Sequence, residues 1–373
     1  MKVPLSKPWI IEEDIEIVNE VLNSNMLCFG PWLSDFEKEL AKIAGRKYGI
    51  ALNSGTSALH LIIRSLGIGE GDEVITTPFS FIASSNAILF ERAKPVFVDI
   101  KKDTYNIDPE LIEPKITEKT KAILGVDVFG QPADWDKIDK IAKKYNLYVI
   151  EDACEAIGAS YRGRPAGSFG VAGTFAFYPN KQITTGEGGA IVTDDEHLRS
   201  LSESLKNQGR GEGDTWLSHT RLGYNYRISD INCALGLSQL RRLDKILKMR
   251  EDVAHLYNER LREIDEIITP YISEDTTQMS WFVYVIRLSD EFSKEDRDKV
   301  IKELAKKGIQ SRNYFSPIHL QPFYVREFGF KRGDFPLTEF VSDRTISLPF
   351  YTTMTEEEVD YVVCSLKEVI KSL

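Results

Sequence analysis

The chain is predicted to be an α/β protein, with a large domain on a mostly parallel sheet flanked by helices and a smaller C-terminal α/β domain. Three observations lead there. Between residues 48 and 152 short apolar runs alternate with amphipathic ones, the pattern of a parallel sheet covered on both faces. A length of 373 residues exceeds one ordinary domain. From roughly Ile264 the pattern changes to a second, shorter α/β series, which sets the expected domains at 1–245 and 246–373.

Ile11, Ile15, Val18 and Leu22 recur at helical spacing, and Ser34 with Glu37 reads as a capping box before Phe36, Leu40 and Ile43. Two helices therefore precede the first strand. YGIALN, from Tyr48, is a strand, and SGTSALHLIIRSLG is a helix whose start, rich in glycine and hydroxyl residues, offers free N–H groups and a positive end. A well-capped helix without a ligand is the plainer reading; as a phosphate site it uses Gly55 and Thr56. DEVITTP is a strand, FSFIASSNAILFERA a helix that brings Phe79 and Phe81 near the strand end, and KPVFVDI a strand. The helix DPELIEPKI, the strand KAILGVDVFG, the amphipathic helix ADWDKIDKIAKKYN and the buried strand LYVIEDA follow. Ligands of such sheets collect at the carboxyl ends of the strands, where Asp152 stands. No G-x-G-x-x-G follows the first strand, so a single phosphate is expected in place of a dinucleotide.

Thr174 to Val192 holds the expected chemistry. Lys181 lies between the aromatic run FAFYP and the glycine cluster TTGEGG. An arbitrary lysine is a solvated loop residue, but one held against apolar walls loses hydration, favours its neutral amine and attacks carbonyls. Such an amine can hold an aldehyde cofactor as a Schiff base. Were that cofactor a pyridine aldehyde, Asp152 beside the ring nitrogen would keep it protonated and make the ring an electron sink. Beyond the lysine come the strand GAIVTD and the helix DEHLRSLSESLKN, then a long helix running to about Glu263. Asn225 and Arg227, just before that helix, are candidate anion ligands. In the C-terminal part WFVYVIRL and TISLPF are strands, KEDRDKVIKELAKKG is a helix, and Thr355 with Glu358 caps the last helix. The loop RNYFSPIHLQPFY places Arg312, Tyr314 and His319 at the cleft as candidate substrate contacts, although a lone histidine is more often structural.

Composition narrows the function classes. A formal charge of −10 argues against a general nucleic-acid binder, and Arg241, Arg242 and Lys245 read as a solvated helix face. Four scattered cysteines and five distant histidines give no metal set, so no metal is expected, and the cysteines suit a reducing cytoplasm. Neither a signal peptide nor a membrane span is legible.

NSGTSALH, TPFSFIASSNAI, VFGQPAD, EDACEAIGA, FYPNKQITTGEGG, GYNYRISD and SPIHLQPFY follow one another along the chain. In that order they resemble the DegT/DnrJ-type sugar aminotransferases, pyridoxal-phosphate enzymes of the aspartate aminotransferase fold, over nearly the whole length. The resemblance implies that Lys181 is the Schiff-base lysine and proton shuttle, that Asp152 pairs with the pyridinium nitrogen, that Phe81 stacks on the ring, and that Gly55 and Thr56 hold the phosphate. It also implies a homodimer in which Asn225, with Arg227 nearby, reaches the neighbouring site. The implied reaction moves an amino group from glutamate, or glutamine, to a nucleotide-linked keto-sugar in amino-sugar, surface polysaccharide or antibiotic-sugar biosynthesis. A cyclitol ketone as acceptor, or a regulatory protein that kept the fold without the chemistry, are the alternatives; related dehydratases carry histidine in place of the lysine.

Three positions depart from the commonest family pattern. Glu155 stands where histidine or glutamine usually faces the ring, Ala176 where serine often binds phosphate, and Asp127 where histidine is frequent. Ser57 or Asn180 is the expected substitute donor for Ala176. Loops 23–33, 208–222 and 312–324 are expected to choose the substrate.

Overall fold

The computed structural model describes residues 1–211 and 218–373, so residues 212–217, part of the expected substrate loop 208–222, lie outside the described residues. Two helices, α1 (Glu12–Asn23) and α2 (Pro31–Ile43), precede the first strand. Five strands then alternate with helices: β1 (Tyr48–Leu52), α3 (Gly55–Ser65), β2 (Glu73–Thr76), α4 (Ala83–Phe90), β3 (Lys94–Phe97), β4 (Thr120–Val126), α5 (Trp135–Tyr145) and β5 (Tyr148–Asp152). A hairpin of β6 (Ser160–Tyr161) and β7 (Arg164–Pro165) leads to β8 (Ala172–Ala176), β9 (Gly189–Thr193) and α6 (Glu196–Lys206).

The large sheet has the order β1-β9-β8-β5-β4-β2-β3. Its pairs are parallel except where β9 meets β1 and β8, so β9 alone runs against the rest. That reversal is what returns the chain from the Lys181 loop to the edge of α3.

The remainder comprises α7 (Asp230–Leu240), α8 (Leu243–Leu261), β10 (Ile267–Ile268), β11 (Thr276–Gln278), β12 (Tyr284–Leu288), α9 (Lys294–Lys306), α10 (Pro322–Phe328), α11 (Pro336–Ser342), β13 (Thr345–Leu348) and α12 (Glu356–Lys371). Strands β10, β12 and β13 make a second sheet, whose core includes Tyr257, Tyr284, Val300, Ile346 and Val362. The box formed by Thr355 and Glu358 caps α12 as expected. Helix α8 belongs to both cores: Leu243, Ile246 and Leu247 pack with Phe36, Phe175 and Phe177 of the large unit, while Val253, Ala254, Tyr257 and Leu261 pack in the second.

Four local expectations are corrected. Ser34 and Glu37 do not cap α2, because Pro31, with its fixed φ and missing N–H, starts the helix one turn earlier behind Gly30. Glu37 instead accepts the Ala51 N–H at 2.9 Å and pairs with Lys206 at 3.0 Å. On α1 the buried face is Asp14, Ile17 and Val21, leaving Ile15 and Leu22 exposed. The buried Asp14–Arg242 pair, 2.6 Å apart, fixes that rotation. DPELIEPKI forms two 3-10 turns, since Pro114 cannot donate inside an α-helix and its ring crowds the turn before it. The long helix is broken between Leu240 and Leu243, where Arg242 reaches back to Asp14 and the Trp9 carbonyl.

Asp127 is tucked behind the strand ends. Its Oδ1 accepts from Ala133 N–H at 2.8 Å and Trp135 Nε1 at 3.0 Å, which ties the loop after β4 to α5. Its neighbour Glu151 accepts from the Gly167 and Phe169 amides at 2.7 and 2.8 Å. Burial pushes both acids up, Glu151 to about 7, and the Glu151 charge adds to the rise at Asp127. Because the folded-state values lie above the unfolded ones, the pair favours folding at low pH and loses that contribution as pH rises from about 4.5 through about 7. Asp127→Asn keeps an oxygen for Ala133 and Trp135 and offers an amide to Glu151. It is expected to flatten this loss, leaving the variant more stable than the parent above neutrality. Urea denaturation across that pH range is the check.

Candidate active site

A cavity of about 520 Å³ opens at the carboxyl ends of the parallel strands. Ser54, Gly55 and Thr56 line it after β1, Phe81, Ala83 and Ser84 after β2, Val126 at the end of β4, and Asp152, Cys154 and Glu155 at the end of β5. Lys181 enters from the loop after β8, and Phe282 and Tyr314 close it from the second unit. Of the residues expected at the site, Lys181, Gly55, Thr56, Phe81, Asp152, Glu155 and Tyr314 are brought together.

One end of the cavity suits an anion. Ser54 caps α3 by accepting the Ser57 N–H at 3.0 Å, and the amides of Gly55 and Thr56, in the first turn, have no helical acceptor. No side chain can intrude between this turn and the glycine cluster: a Cβ on Gly189 would stand 2.3 Å from the Gly55 nitrogen, and one on Gly55 2.8 Å from the Ala176 Cβ. Neither expected substitute for a serine at 176 points clearly at this cup. The Ser57 hydroxyl donates to Asn53 Oδ1 at 2.7 Å, and Asn180 Nδ2 donates to the Tyr314 hydroxyl at 3.4 Å. Asn180 Oδ1 is buried without a hydrogen-bond partner, so that side chain keeps one unmet group beside the cavity.

The other end carries the charges. Ser84 donates to Asp152 Oδ2 at 2.7 Å and the Cys154 N–H to Oδ1 at 3.2 Å, which orients the carboxylate. Lys181 Nζ lies 3.5 Å from Glu155 Oε1 and 3.8 Å from the centre of the Phe282 ring, with a side chain only 12% exposed. The apolar walls expected around the lysine are therefore joined by a carboxylate and an aromatic face. Burial raises the Glu155 carboxyl, opposed by Lys181, and burial pushes Tyr314 up to about 12.

Two expectations need correcting and one pair lies elsewhere. His319 does not face the cavity: its ring is fully buried, bonded through Nε2 to Glu339 at 3.0 Å and packed on Phe335, a role in the core. Arg312 is an exposed residue whose Nη1 donates to the Ser311 carbonyl, outside the lining. Asp127 lies behind the cavity, holding a loop. Asn225 is exposed, and Arg227 bonds Asn207 and Gln208 at 2.9 and 2.7 Å; neither lines the cavity of its own chain. Phe282 and Ser84 were missed in the sequence. Phe282 is hidden at the head of an apolar strand-like run, and Ser84 reads as an ordinary helix residue. Among the described residues no group of histidine, cysteine and acidic side chains is placed to hold a metal, and no helix is long and apolar enough to cross a membrane.

The DegT/DnrJ/EryC1/StrS aminotransferase family model matches residues 8–367. The chain belongs to this family, and it is a pyridoxal-phosphate-dependent aminotransferase. It is 38% identical to GDP-perosamine synthase of Caulobacter vibrioides over 99% of its own length and 98% of that protein. Helicobacter pylori PseC, described as an aminotransferase involved in pseudoaminic acid biosynthesis, superposes with a TM-score of 0.95 at 31% identity, each chain covered in full. Spr1654 of Streptococcus pneumoniae, solved in PLP and PMP forms, gives a TM-score of 0.94 at 31% identity, covering 100% of this chain and 98–99% of that one. The resemblance read from the motifs and the fold it implies are thus borne out, and the family and the PLP-form neighbour imply pyridoxal phosphate as cofactor. The residues present fit that group: an anion cup at one end of the cavity, a buried and oriented carboxylate, and a largely buried amine lining the same cavity. Gly55→Ala is expected to cost about 1–3 kcal/mol of stability by overpacking against Ala176 and Cys154. It is also expected to weaken retention of added pyridoxal phosphate; denaturation and cofactor titration measure the two effects.

Proposed function

We propose that this enzyme moves an amino group from glutamate, or glutamine, to a nucleotide-linked keto-sugar on the way to an amino sugar of a surface polysaccharide or related product. The observation that carries the reading is the sharing of one cavity by Lys181, Asp152 and the open first turn of α3. The kinship to a GDP-perosamine synthase and to PseC supports a sugar nucleotide as acceptor.

Each residue has a task. The cofactor, when bound, supplies an aldehyde that carries the amino group and a ring that accepts an electron pair. Gly55 and Thr56 hold the phosphate through their N–H groups, with the positive end of α3 behind them. Asp152, aimed by Ser84 and the Cys154 amide, holds a proton on the ring nitrogen. Phe81, exposed at the mouth, covers one face of the ring. Lys181 Nζ anchors the cofactor and then moves a proton at the reacting carbon in both halves of the exchange. Tyr314 bounds the acceptor side.

The working unit is a homodimer. Ile15, Leu22, Met26, Leu27 and Phe29 form an exposed apolar face along α1 and the loop after it, the kind of surface that a second subunit covers. Asn225 and Arg227 stand near that face, Arg227 with its guanidinium 5.9 Å from the Phe29 ring centre. The partner subunit's Asn225 then completes the phosphate cup. Among the described residues no helix is long and apolar enough to cross a membrane, and we place the enzyme's work in the cytoplasm.

Two measurements test the reading. Lys181→Ala should abolish turnover and the visible absorption of the cofactor-loaded protein while leaving circular dichroism unchanged; normal turnover in this variant would overturn it. A panel of nucleotide-linked 3-keto and 4-keto sugars offered with glutamate should release 2-oxoglutarate with at least one member. Release with a cyclitol ketone alone would move the acceptor to a different class.

A further inference from the structure

The amine of Lys181 has to be free of the cofactor for part of each cycle. Nζ faces two groups from different parts of the chain: Glu155, following β5, and Phe282, just ahead of β12.

Both groups are fixed without help from the lysine. Glu155 Oε2 accepts the Phe129 N–H at 2.9 Å, and its carbonyl accepts from Gln182 Nε2 at 2.6 Å and Ser280 Oγ at 3.2 Å. Only Oε1 is left to face the amine. Phe282 stands on a turn in which Trp281 has a φ of 51°, an uncommon value for a bulky residue. The buried Arg250 clamps that turn, donating from Nε to the Trp281 carbonyl at 2.8 Å and from Nη2 to the Phe282 carbonyl at 2.7 Å. A preformed carboxylate and a preformed aromatic face thus meet at one point, the geometry that suits an ammonium ion.

We propose that Glu155 and Phe282 form a seat for the Lys181 ammonium, a pair of positioning residues that hold the amine beside the cavity whenever it is not bonded to the cofactor. The proposal rests on the role given to Lys181 above. It assigns Glu155 a partner other than the cofactor ring. Asp152 and Cys154, at the end of β5, and Tyr314, from the second unit, are the other titratable groups around the pair. Asp152 opposes a charge on Glu155, and Lys181 favours it.

Labelling of the cofactor-free protein tests this. Acetic anhydride acylates free amines, and peptide mass spectrometry reports Lys181 against the exposed Lys371 as internal standard. Glu155→Gln keeps an oxygen for the Phe129 N–H, so the loop stays anchored while the charge facing the amine is removed. Relative labelling of Lys181 is expected to rise about tenfold in Glu155→Gln and about threefold in Phe282→Leu. Glu155→Asp, which restores the charge, should bring it back toward the parent rate, a response that a purely structural role would not give. Labelling within about twofold of the parent in both Glu155→Gln and Phe282→Leu overturns the seat. Should Glu155→Gln not fold, the Phe282→Leu result decides by the same criterion. Borohydride reduction of the cofactor-loaded parent separates the two levels of inference: a modified peptide that lacks Lys181 removes the role of the lysine itself.

Discussion

The close approach of two backbones organises the site. Gly189, at the start of β9, lies against the Ser54–Gly55 turn so tightly that any side chain on it would collide with the main chain. That contact exists because β9 runs antiparallel between two strands of the opposite sense. A strand of the common direction would carry the chain away from the edge where α3 begins. With the reversal, the loop that bears Lys181 is closed at both ends on the same edge of the sheet, and the lysine is held 3.5 Å from Glu155, just after β5. The anion cup, the amine and the carboxylates are therefore consequences of one topological choice.

Lys181, Asp152, Gly55 and Thr56 were legible because each sits in a local signal: a lysine between an aromatic run and glycines, an acid at a strand end, a hydroxyl-rich helix start. The alternation of strands and helices was legible for the same reason, since periodicity is a property of neighbours in sequence. What failed depended on distant partners. The rotation of α1 follows from an ion pair between Asp14 and Arg242, more than two hundred residues apart, which outweighs a stripe of four apolar side chains. The start of α2 follows Pro31 and the reach of Asp230 to the Gly30 N–H, so the Ser34 and Glu37 pattern was a false cap. His319 looked like a cleft residue because its loop is polar and aromatic, yet Glu339, twenty positions on, draws the ring into the core. Phe282 had no signal of its own, because an aromatic residue in an apolar run is ordinarily part of a core.

The departures from the family pattern acquire separate physical meanings. Asp127 is a structural acid that shares a buried region with Glu151 and ties a loop to α5. Glu155 faces the amine of Lys181. Ala176 packs where Gly55 has no room for a side chain, since a Cβ on Gly55 would stand 2.8 Å from the Ala176 Cβ. A single motif position can thus change chemistry, packing or neither, according to what stands opposite.

Helix α8 carries an implication for motion. Its first turns are embedded in the core of the large unit and its later turns in the core of the small one, along an unbroken run of 19 residues. A rod gripped at both ends resists bending, so swinging the two units apart would mean tearing apolar side chains out of one core or the other. Access for a bulky substrate then falls to the surface at the cavity mouth, and the 3.8 Å between Lys181 Nζ and the Phe282 ring is set by the joined cores and not by a hinge between them.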